Sequence, residues 1–260
     1  MDLSQFSLEG QVALITGGSR GMGEATAIGF AKAGADVAVA SRKLPDLERV
    51  ANKVRSLGRK ALAVEAHVGR MDQLQPLVDK VVAEFGKIDI LVNNAGTNFF
   101  MPAIDMDERG WDAVINLDLK GLFFLSQAVA RVMREHGGGK IINVSSVSGF
   151  RAQVPTGHYS IAKAGVIMAT KVMAREWAEY NIRVNCIAPG AIETRLYDSI
   201  FSLLPEDEAK VQKEAAAKRI PMGRVGEPRE IADAMIYLAS EASSYVTGQT
   251  FAVDGGSLLL

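Results

Sequence analysis

Val12-Ala13-Leu14-Ile15-Thr16-Gly17-Gly18-Ser19-Arg20-Gly21-Met22-Gly23 is the stretch on which the fold turns: an apolar run, a glycine-rich turn, and then a helical stretch from about residue 24 to 33. Small residues let the chain reverse sharply after a strand and let an anionic group approach the backbone, while the following helix offers its unpaired N–H groups to that anion. A turn of this kind can simply connect strand to helix. Its position directly after the first strand favours the binding of a nucleotide pyrophosphate.

Outward from that turn, short apolar runs alternate with longer stretches of helical period as far as the C-terminus. After 12–16 the runs are 37–41, 61–68, 88–93, 140–145, 182–188 and 250–254, rich in Val, Ile, Leu and Ala and mostly apolar on both parities. That pattern predicts seven strands covered on both faces. Several intervening helices carry recognisable ends, with Pro45 near one start, Gly58 past its end and Pro228 at another start. Strand and helix in repeated alternation predict an α/β fold, a doubly wound parallel sheet with helices on both faces. A (β/α)8 barrel has similar length, but seven runs rather than eight and the glycine-rich turn favour the open sheet. No linker or internal repeat divides residues 1–260, so one domain is expected. The stretch 195–219 breaks the alternation. It joins an apolar patch (Leu196, Tyr197, Ile200, Phe201, Leu203, Leu204) to a polar helical tail over 206–218, which suggests a substrate lid.

Composition narrows the function. With 29 Lys+Arg against 30 Asp+Glu the net charge is −1, which argues against a nucleic-acid binder with a basic face. Cys186 is the single cysteine, so no intrachain disulfide forms and a reducing compartment is expected. His67, His136 and His158 are too scattered for a zinc-ligand spacing, and no metal site is expected. The first ten residues lack the basic start and apolar core of a signal peptide, and no stretch approaches the roughly 18 apolar residues of a membrane span. A cytoplasmic location with no membrane partner is the expectation.

Further motifs follow in order: Asn93-Asn94-Ala95-Gly96 closing the fourth strand, Ser146, Tyr159 with Lys163 four residues later, Pro189-Gly190 with Thr194 after the sixth strand, and Val253-Asp254-Gly255-Gly256 at the end. Together with the spacing Gly17, Gly21, Gly23, these resemble the T-G-x-x-x-G-x-G turn and later motifs of the short-chain dehydrogenase/reductase family over nearly the whole chain. The resemblance implies a Rossmann-type fold, a nicotinamide cofactor and transfer of a hydride between it and a ketone or secondary alcohol. It implies that Gly17, Ser19, Arg20, Gly21, Met22 and Gly23 meet the cofactor's phosphates, that Asn94, Ala95, Gly96, Pro189 and Gly190 line its groove, and that Ile192 and Thr194 hold the nicotinamide carboxamide. His67-Val68 stands where many relatives have an aspartate that touches the adenine. The family also implies a homotetramer built on long helices at roughly 111–135 and 157–179 and on the C-terminal strand region.

The chemistry can be argued from residue types as well. Reduction of a carbonyl needs a proton at the oxygen as charge develops there. Tyrosine, with an ordinary pKa near 10, is a poor base at neutral pH unless a neighbouring cation favours its phenolate. Lys163 is four residues from Tyr159, so a helix presents both side chains on one face. A Ser146 hydroxyl would hold the substrate oxygen while Tyr159 transfers the proton. Among Ser145, Ser146 and Ser148 the choice rests on the family's spacing of thirteen residues before the tyrosine, 159 − 13 = 146.

One position departs from the family pattern. Seven residues after Trp111, where relatives carry a fourth catalytic residue, an asparagine, this chain has Asp118, followed by Leu119-Lys120-Gly121. Asn116 is two positions early, about 200° away on a helix, and faces elsewhere unless the helix shifts register. In relatives this residue anchors a water linked to the lysine, partly through its backbone. A carboxylate here can strengthen the lysine's charge or, if neutral, mimic the amide. Asp118→Asn is expected to leave substantial activity.

Cofactor choice depends on the end of the second strand, where an acid accepts from the ribose 2′-hydroxyl of NAD and a cation accommodates the 2′-phosphate of NADP. Here Ser41 replaces the acid, Arg42 and Lys43 follow, and Arg20 adds a second planar cation, so NADP(H) is expected over NAD(H). Phe99, Phe100, Phe150, Val154, Leu196 and Phe201 are candidate lining of a hydrophobic substrate pocket, suited to a hydrophobic or ring-bearing ketone or alcohol. A 3-oxoacyl-[acyl-carrier-protein] reductase is the alternative within the family, supported by Ile220-Pro221-Met222-Gly223-Arg224. Its carrier-gripping arginines are replaced here by Gly137 and Tyr180. A catalytically silent nucleotide-binding protein is the alternative from another class.

Overall fold

The computed structural model describes residues 3–201 and 204–259; Leu203 of the apolar patch lies outside the described residues. Seven strands form one sheet: β1 Val12–Thr16, β2 Asp36–Ser41, β3 Ala61–Glu65, β4 Ile90–Asn93, β5 Gly139–Val144, β6 Ile182–Pro189 and β7 Thr250–Val253. Their order is β3-β2-β1-β4-β5-β6-β7 and every pairing is parallel. All of β1 is buried, because helices cover the sheet on both sides. The doubly wound single-domain architecture is the one expected from the alternation.

Nine α-helices supply the crossovers and the excursion after β6 among the described residues: α1 Gly21–Lys32, α2 Leu44–Ser56, α3 Leu74–Phe85, α4 Glu108–Ile115, α5 Leu122–Glu135, α6 Gly157–Trp177, α7 Arg195–Ser199, α8 Glu206–Lys218 and α9 Pro228–Ala239. Two apolar cores result, one for each face. Phe30 of α1, Leu47 and Val50 of α2 and Met235 of α9 pack on one face with Ile15 and Val39. Leu77 of α3, Leu125 of α5 and Val166 of α6 pack on the other with Leu14 and Leu91. The two layers depend on inward residues of opposite parity within single strands, such as Leu14 and Ile15 in β1.

Several boundaries differ from the sequence reading. Helix α1 begins at Gly21 rather than near residue 24, because its first turn is folded against the glycine turn itself. Strand β3 stops at Glu65, since Ala66 N–H is the last group to reach β2, at Ser41 O, before His67 turns the chain. Strand β4 starts at Ile90, and Asp89 instead accepts from the backbone N–H of Val12 at 2.7 Å. The expectation about membrane-length segments also needs correction. Residues Glu108–Glu135 form one helical run long and apolar enough to cross a membrane by length and composition. Half of its apolar window is buried inside the domain, where Leu122, Leu125 and Val129 join the core, and that burial explains its apolarity.

The helical run over 108–135 is not uniform. Residues Asn116–Gly121 form a π-helical segment between α4 and α5. A π turn takes one extra residue into the helical circuit and is frequent at functional sites. This is the register shift that the spacing of Asn116 and Asp118 left open. Asp118 is turned fully inward, with no exposed surface, while Asn116 is only partly buried.

Candidate active site

The strand order reverses direction between β1 and β4, and the glycine turn after β1 meets the Asn94-Ala95-Gly96 stretch after β4 at that point. Crevices at such switch points, beyond the carboxyl ends of the strands, are where open α/β sheets bind ligands. The gap is bridged by side chains. Thr16 Oγ1 accepts from the N–H groups of Asn94 and Ala95, both at 3.1 Å, and Asn94 Nδ2 donates to Thr16 O at 2.9 Å. Thr16 was not singled out as a functional residue; its place as the first letter of the turn motif was the available signal.

The turn is shaped as a cradle. Gly17 has φ +64°, and a Cβ there would lie 2.8 Å from Asn94 Nδ2. A Cβ on Gly23 would lie 2.3 Å from Gly17 O, so only glycine lets the first turn of α1 close on the loop. Arg49 of α2 holds the turn from outside, its Nη2 donating to Ser19 O at 2.8 Å while its other contacts go to Glu24, which also meets Lys53 at 2.8 Å. Nothing in the one-dimensional pattern identified Arg49, because its partner is a backbone carbonyl. Glycines at a helix start leave its unpaired backbone N–H groups unscreened by side chains of their own, which fits the pyrophosphate of a dinucleotide. Gly21 brings α7 close to this turn, since a Cβ on it would lie 3.3 Å from Thr194 Cγ2. Thr194 caps α7, its Oγ1 accepting from the Tyr197 N–H at 3.3 Å. Pro189 ends β6, and Gly190 and Ile192 lie in the segment that leads from it to Thr194.

Ser41 ends β2, and Arg42 and Lys43, which follow it, are exposed, as is Arg20 in the glycine turn. His67 Nδ1 accepts from the Gly69 N–H at 3.1 Å, which fixes the ring in its own turn beside buried Val68. Burial, assisted by the charge of Arg42, holds the His67 imidazole below its ordinary pKa.

Across the crevice the structure brings Ser146, Tyr159, Lys163 and Asp118 together. Ser146 opens a short 3-10 turn after β5, and its hydroxyl accepts from the Ser148 N–H at 3.1 Å and favours the phenolate form of Tyr159. The Ser145 hydroxyl, by contrast, is buried and donates to the backbone carbonyl of Lys163 at 2.8 Å, and Ser148 donates to Gln153. Tyr159 and Lys163 share one face of α6, with the ammonium 5.4 Å from the centre of the phenol ring. Lys163 Nζ donates to Val144 O at 2.9 Å and lies 3.1 Å from Asp118 Oδ2. Asp118 Oδ1 accepts from the Thr97 N–H at 2.9 Å. Both ion-pair members are buried, the aspartate completely and the lysine 5% exposed at its side chain.

These contacts set the proton affinities. Burial pushes the Asp118 carboxyl up, and Lys163 and the Thr97 N–H pull it part of the way back. Burial works against the Lys163 ammonium, yet Asp118 and the Tyr159 oxygen together hold its pKa above the ordinary value, so the lysine keeps its charge. Tyr159 differs from the expectation of a lowered phenol pKa. Burial raises it, Lys163 lowers it, the Asp118 charge raises it again, and the net direction is upward. Tyr159 is therefore a protonated phenol at neutral pH.

The candidate pocket residues are less closely gathered. Phe99 stacks on His158 with ring centres 4.5 Å apart, and Phe201 meets Tyr197 edge-on at 5.4 Å. Phe100, Phe150 and Leu196 are 47%, 51% and 41% exposed, and Val154 at 89% stands out from the surface on its loop. Two oxygens in these segments, Asn98 Oδ1 and Tyr197 Oη, are buried without a hydrogen-bond partner, as are both ring nitrogens of His158.

A family model described as enoyl-(acyl carrier protein) reductase matches residues 17–257. The chain is 43% identical over 259 residues, 99% of each protein, to a 2-dehydro-3-deoxy-D-gluconate 5-dehydrogenase of Escherichia coli. It is also 43% identical over 252 residues, 97% of this chain and 99% of the other, to the 3-oxoacyl-[acyl-carrier-protein] reductase of Thermotoga maritima. Among solved structures it superposes with a TM-score of 0.92 on a gluconate 5-dehydrogenase from Burkholderia cenocepacia in complex with NADP and tartrate, at 38% identity and 99% coverage of both chains.

Proposed function

The chain belongs to the short-chain dehydrogenase/reductase family of oxidoreductases acting on CH–OH groups, and from that premise we propose that it interconverts a ketone and a secondary alcohol with NADP(H). The observation that carries the proposal is the cluster of Ser146, Tyr159 and Lys163 beside the 94–96 stretch that packs on the glycine turn, a Cβ on Gly96 falling 3.5 Å from Lys163 Nζ and one on Gly17 3.0 Å from Ala95 Cα. The cofactor, when bound, supplies or accepts the hydride. Ser146 holds the carbonyl oxygen through its hydroxyl. Tyr159 delivers its proton to that oxygen as negative charge develops there. Lys163, anchored by Val144 O, stabilises the phenolate that remains. Gly17, Ser19, Gly21, Met22 and Gly23 receive the pyrophosphate. Asn94, Ala95, Gly96, Pro189, Gly190, Ile192 and Thr194 border the remainder of the groove, and His67 and Val68 border the adenine.

NADP(H) is favoured because Ser41 offers no carboxylate to the ribose and because Arg42, which follows it, and Arg20 of the glycine turn are exposed cations suited to a 2′-phosphate. The substrate is a hydrophobic or cyclic carbonyl compound whose body meets Phe99, Leu196 and Phe201 under a lid formed by α7 and α8. A second reading, a keto sugar acid, is favoured by the buried unpaired oxygens of Asn98 and Tyr197 and by the Escherichia coli relative. The carrier-protein reductase reading has the Thermotoga maritima relative in its favour, but Gly137 and Tyr180 stand where its gripping arginines are expected. The exposed apolar side chains Phe124, Ile161, Met168 and Val172 on α5 and α6 favour association with further copies of the chain; the number of copies, four, is carried over from the family resemblance to a homotetramer, and the cytoplasmic location from the sequence.

The test is oxidation of NADPH and NADH with cyclic ketones, diketones, 2-dehydro-3-deoxy-D-gluconate and 3-oxoacyl thioesters, alongside Tyr159→Phe. We expect turnover with NADPH that falls about 10²- to 10⁴-fold in Tyr159→Phe. Tight NADPH binding without turnover on any of these, and no effect of Tyr159→Phe, would overturn the assignment.

A further inference from the structure

Asp118 stands in an unusual relation to Lys163. The π segment turns its carboxylate inward until Oδ2 is 3.1 Å from the ammonium, with the Thr97 N–H fixing Oδ1 from the other side. There is little space between the ion pair and the crevice floor, since a Cβ on Gly96 would lie 2.9 Å from Asp118 Oδ2 and 3.5 Å from Lys163 Nζ. The carboxylate is the lysine's immediate counter-ion. Seen from the Tyr159 ring, 5.4 Å from the ammonium, the two charges form a nearly neutral pair in a medium that screens poorly.

We propose that Asp118 cancels much of the charge with which Lys163 would otherwise draw the proton from Tyr159, and thereby tunes the site toward giving a proton to a carbonyl rather than taking one from an alcohol. The inference rests on the assignment of Tyr159 as proton donor made above. It leaves the overall equilibrium untouched and moves the pH windows in which each direction runs: reduction persists into more alkaline solution, and alcohol oxidation needs higher pH to begin. The upward direction of the Tyr159 pKa, to which the Asp118 charge contributes, agrees with this.

Of the other groups facing the pair, Cys186 shares the alkaline range with Tyr159 and Lys163, so the Tyr159 signal is read against Tyr159→Phe, in which the thiol is unchanged. On α6 itself, His158 is buried and its imidazole is held below the ordinary value by that burial, so it is neutral there. From β6, the Cys186 thiol is pushed up to about 11 by burial and stays protonated until well into the alkaline range. The segment after β5 contributes the Ser146 hydroxyl and that after β4 the Thr97 N–H, neither of which changes charge.

Asp118→Asn removes the charge at nearly constant shape. Its alcohol-oxidation profile, as kcat/KM against pH, is expected to move about one unit toward acid relative to the unchanged protein. Its reduction rate is expected to begin falling about one unit earlier as pH rises. Ultraviolet difference titration of the phenolate, taken against Tyr159→Phe, reads the same shift without substrate or turnover. Profiles and phenolate titration that coincide with those of the unchanged protein, in a folded Asp118→Asn protein, would overturn the inference. A Tyr159→Phe protein that turns over normally would instead overturn the assignment of the proton donor, so the two failures are distinguishable.

Discussion

Two clusters of charge hold the two sides of the crevice, and they are built in opposite ways. On the cofactor side, Glu24 gathers Arg49 and Lys53 at the surface, where the cations are 47% and 50% exposed. On the catalytic side, Asp118 and Lys163 pair with 0% and 5% of their side chains exposed. Exposed pairs of the first kind contribute little, because water and salt already satisfy each charge. A buried pair is costly to assemble, and leaving one partner alone is costlier still. The surface cluster therefore shapes a loop, while the buried pair couples the stability of the domain to its chemistry.

The sharpest way to break this contrast is Lys163→Met. It strands Asp118 in a site where burial already pushes the carboxyl up, so the aspartate must take up a proton. We expect a loss of about 3–5 kcal/mol in denaturant unfolding, together with loss of nearly all turnover. Adding Asp118→Asn to that variant should return part of the stability but none of the activity. A loss within the range of a surface pair would mean that the burial of the two charges carries no such weight.

A smaller effect is expected from Arg42→Ala on the exposed rim. Loss of one charge-assisted hydrogen bond to a phosphate costs about 1.5–3 kcal/mol, roughly 10- to 100-fold in NADPH affinity, and NADH affinity should stay unchanged. Equal changes for the two cofactors, measured by direct titration, would remove the argument for NADPH.

Arg49→Ala should be the mildest, under about 1 kcal/mol of stability, with a modest rise in KM for the cofactor as Ser19 loosens. Its hydrogen bond holds the Glu24 carboxyl below the ordinary glutamate range. A depressed carboxyl stabilises the fold fully above its unfolded pKa and loses that contribution as pH falls through the folded value. The difference between Arg49→Ala and the unchanged protein should therefore close in acid and in high salt. A difference that persists under both conditions would mark Arg49 as more than a surface partner.

How much of this was legible in the sequence follows from where each contact ends. The seven strands, the glycine turn and the i, i+4 pair Tyr159 and Lys163 are written in side-chain type and spacing; all seven strands form, with β3 and β4 shorter than the runs that predicted them, and the pair shares one helix face. The acid at 118 was visible too, but its orientation was not. The orientation depends on a π segment, whose extra residue leaves no compositional mark. Val144 O and the Thr97 N–H, which hold the two charged groups, belong to the backbone and would be the same with many other residues at those positions. Burial was likewise hidden, and it reversed the expected direction for Tyr159. An i, i+4 spacing says that the lysine is near, and only the packing around it says that desolvation and Asp118 outweigh it.

Gly121, at the last position of the π segment, would drive a Cβ into Val68 O, so the helical run that carries Asp118 rests backbone to backbone on the loop that follows β3. That contact has no rotamers and nothing to repack. It acts as a fixed gauge between the loop after β3, proposed above to border the adenine, and the ion pair, whereas the exposed side chains of α7 and the loops around Phe150 are not part of it. A lineage built on this chain can change what it accepts while the span from one end of the cofactor to the other stays the same.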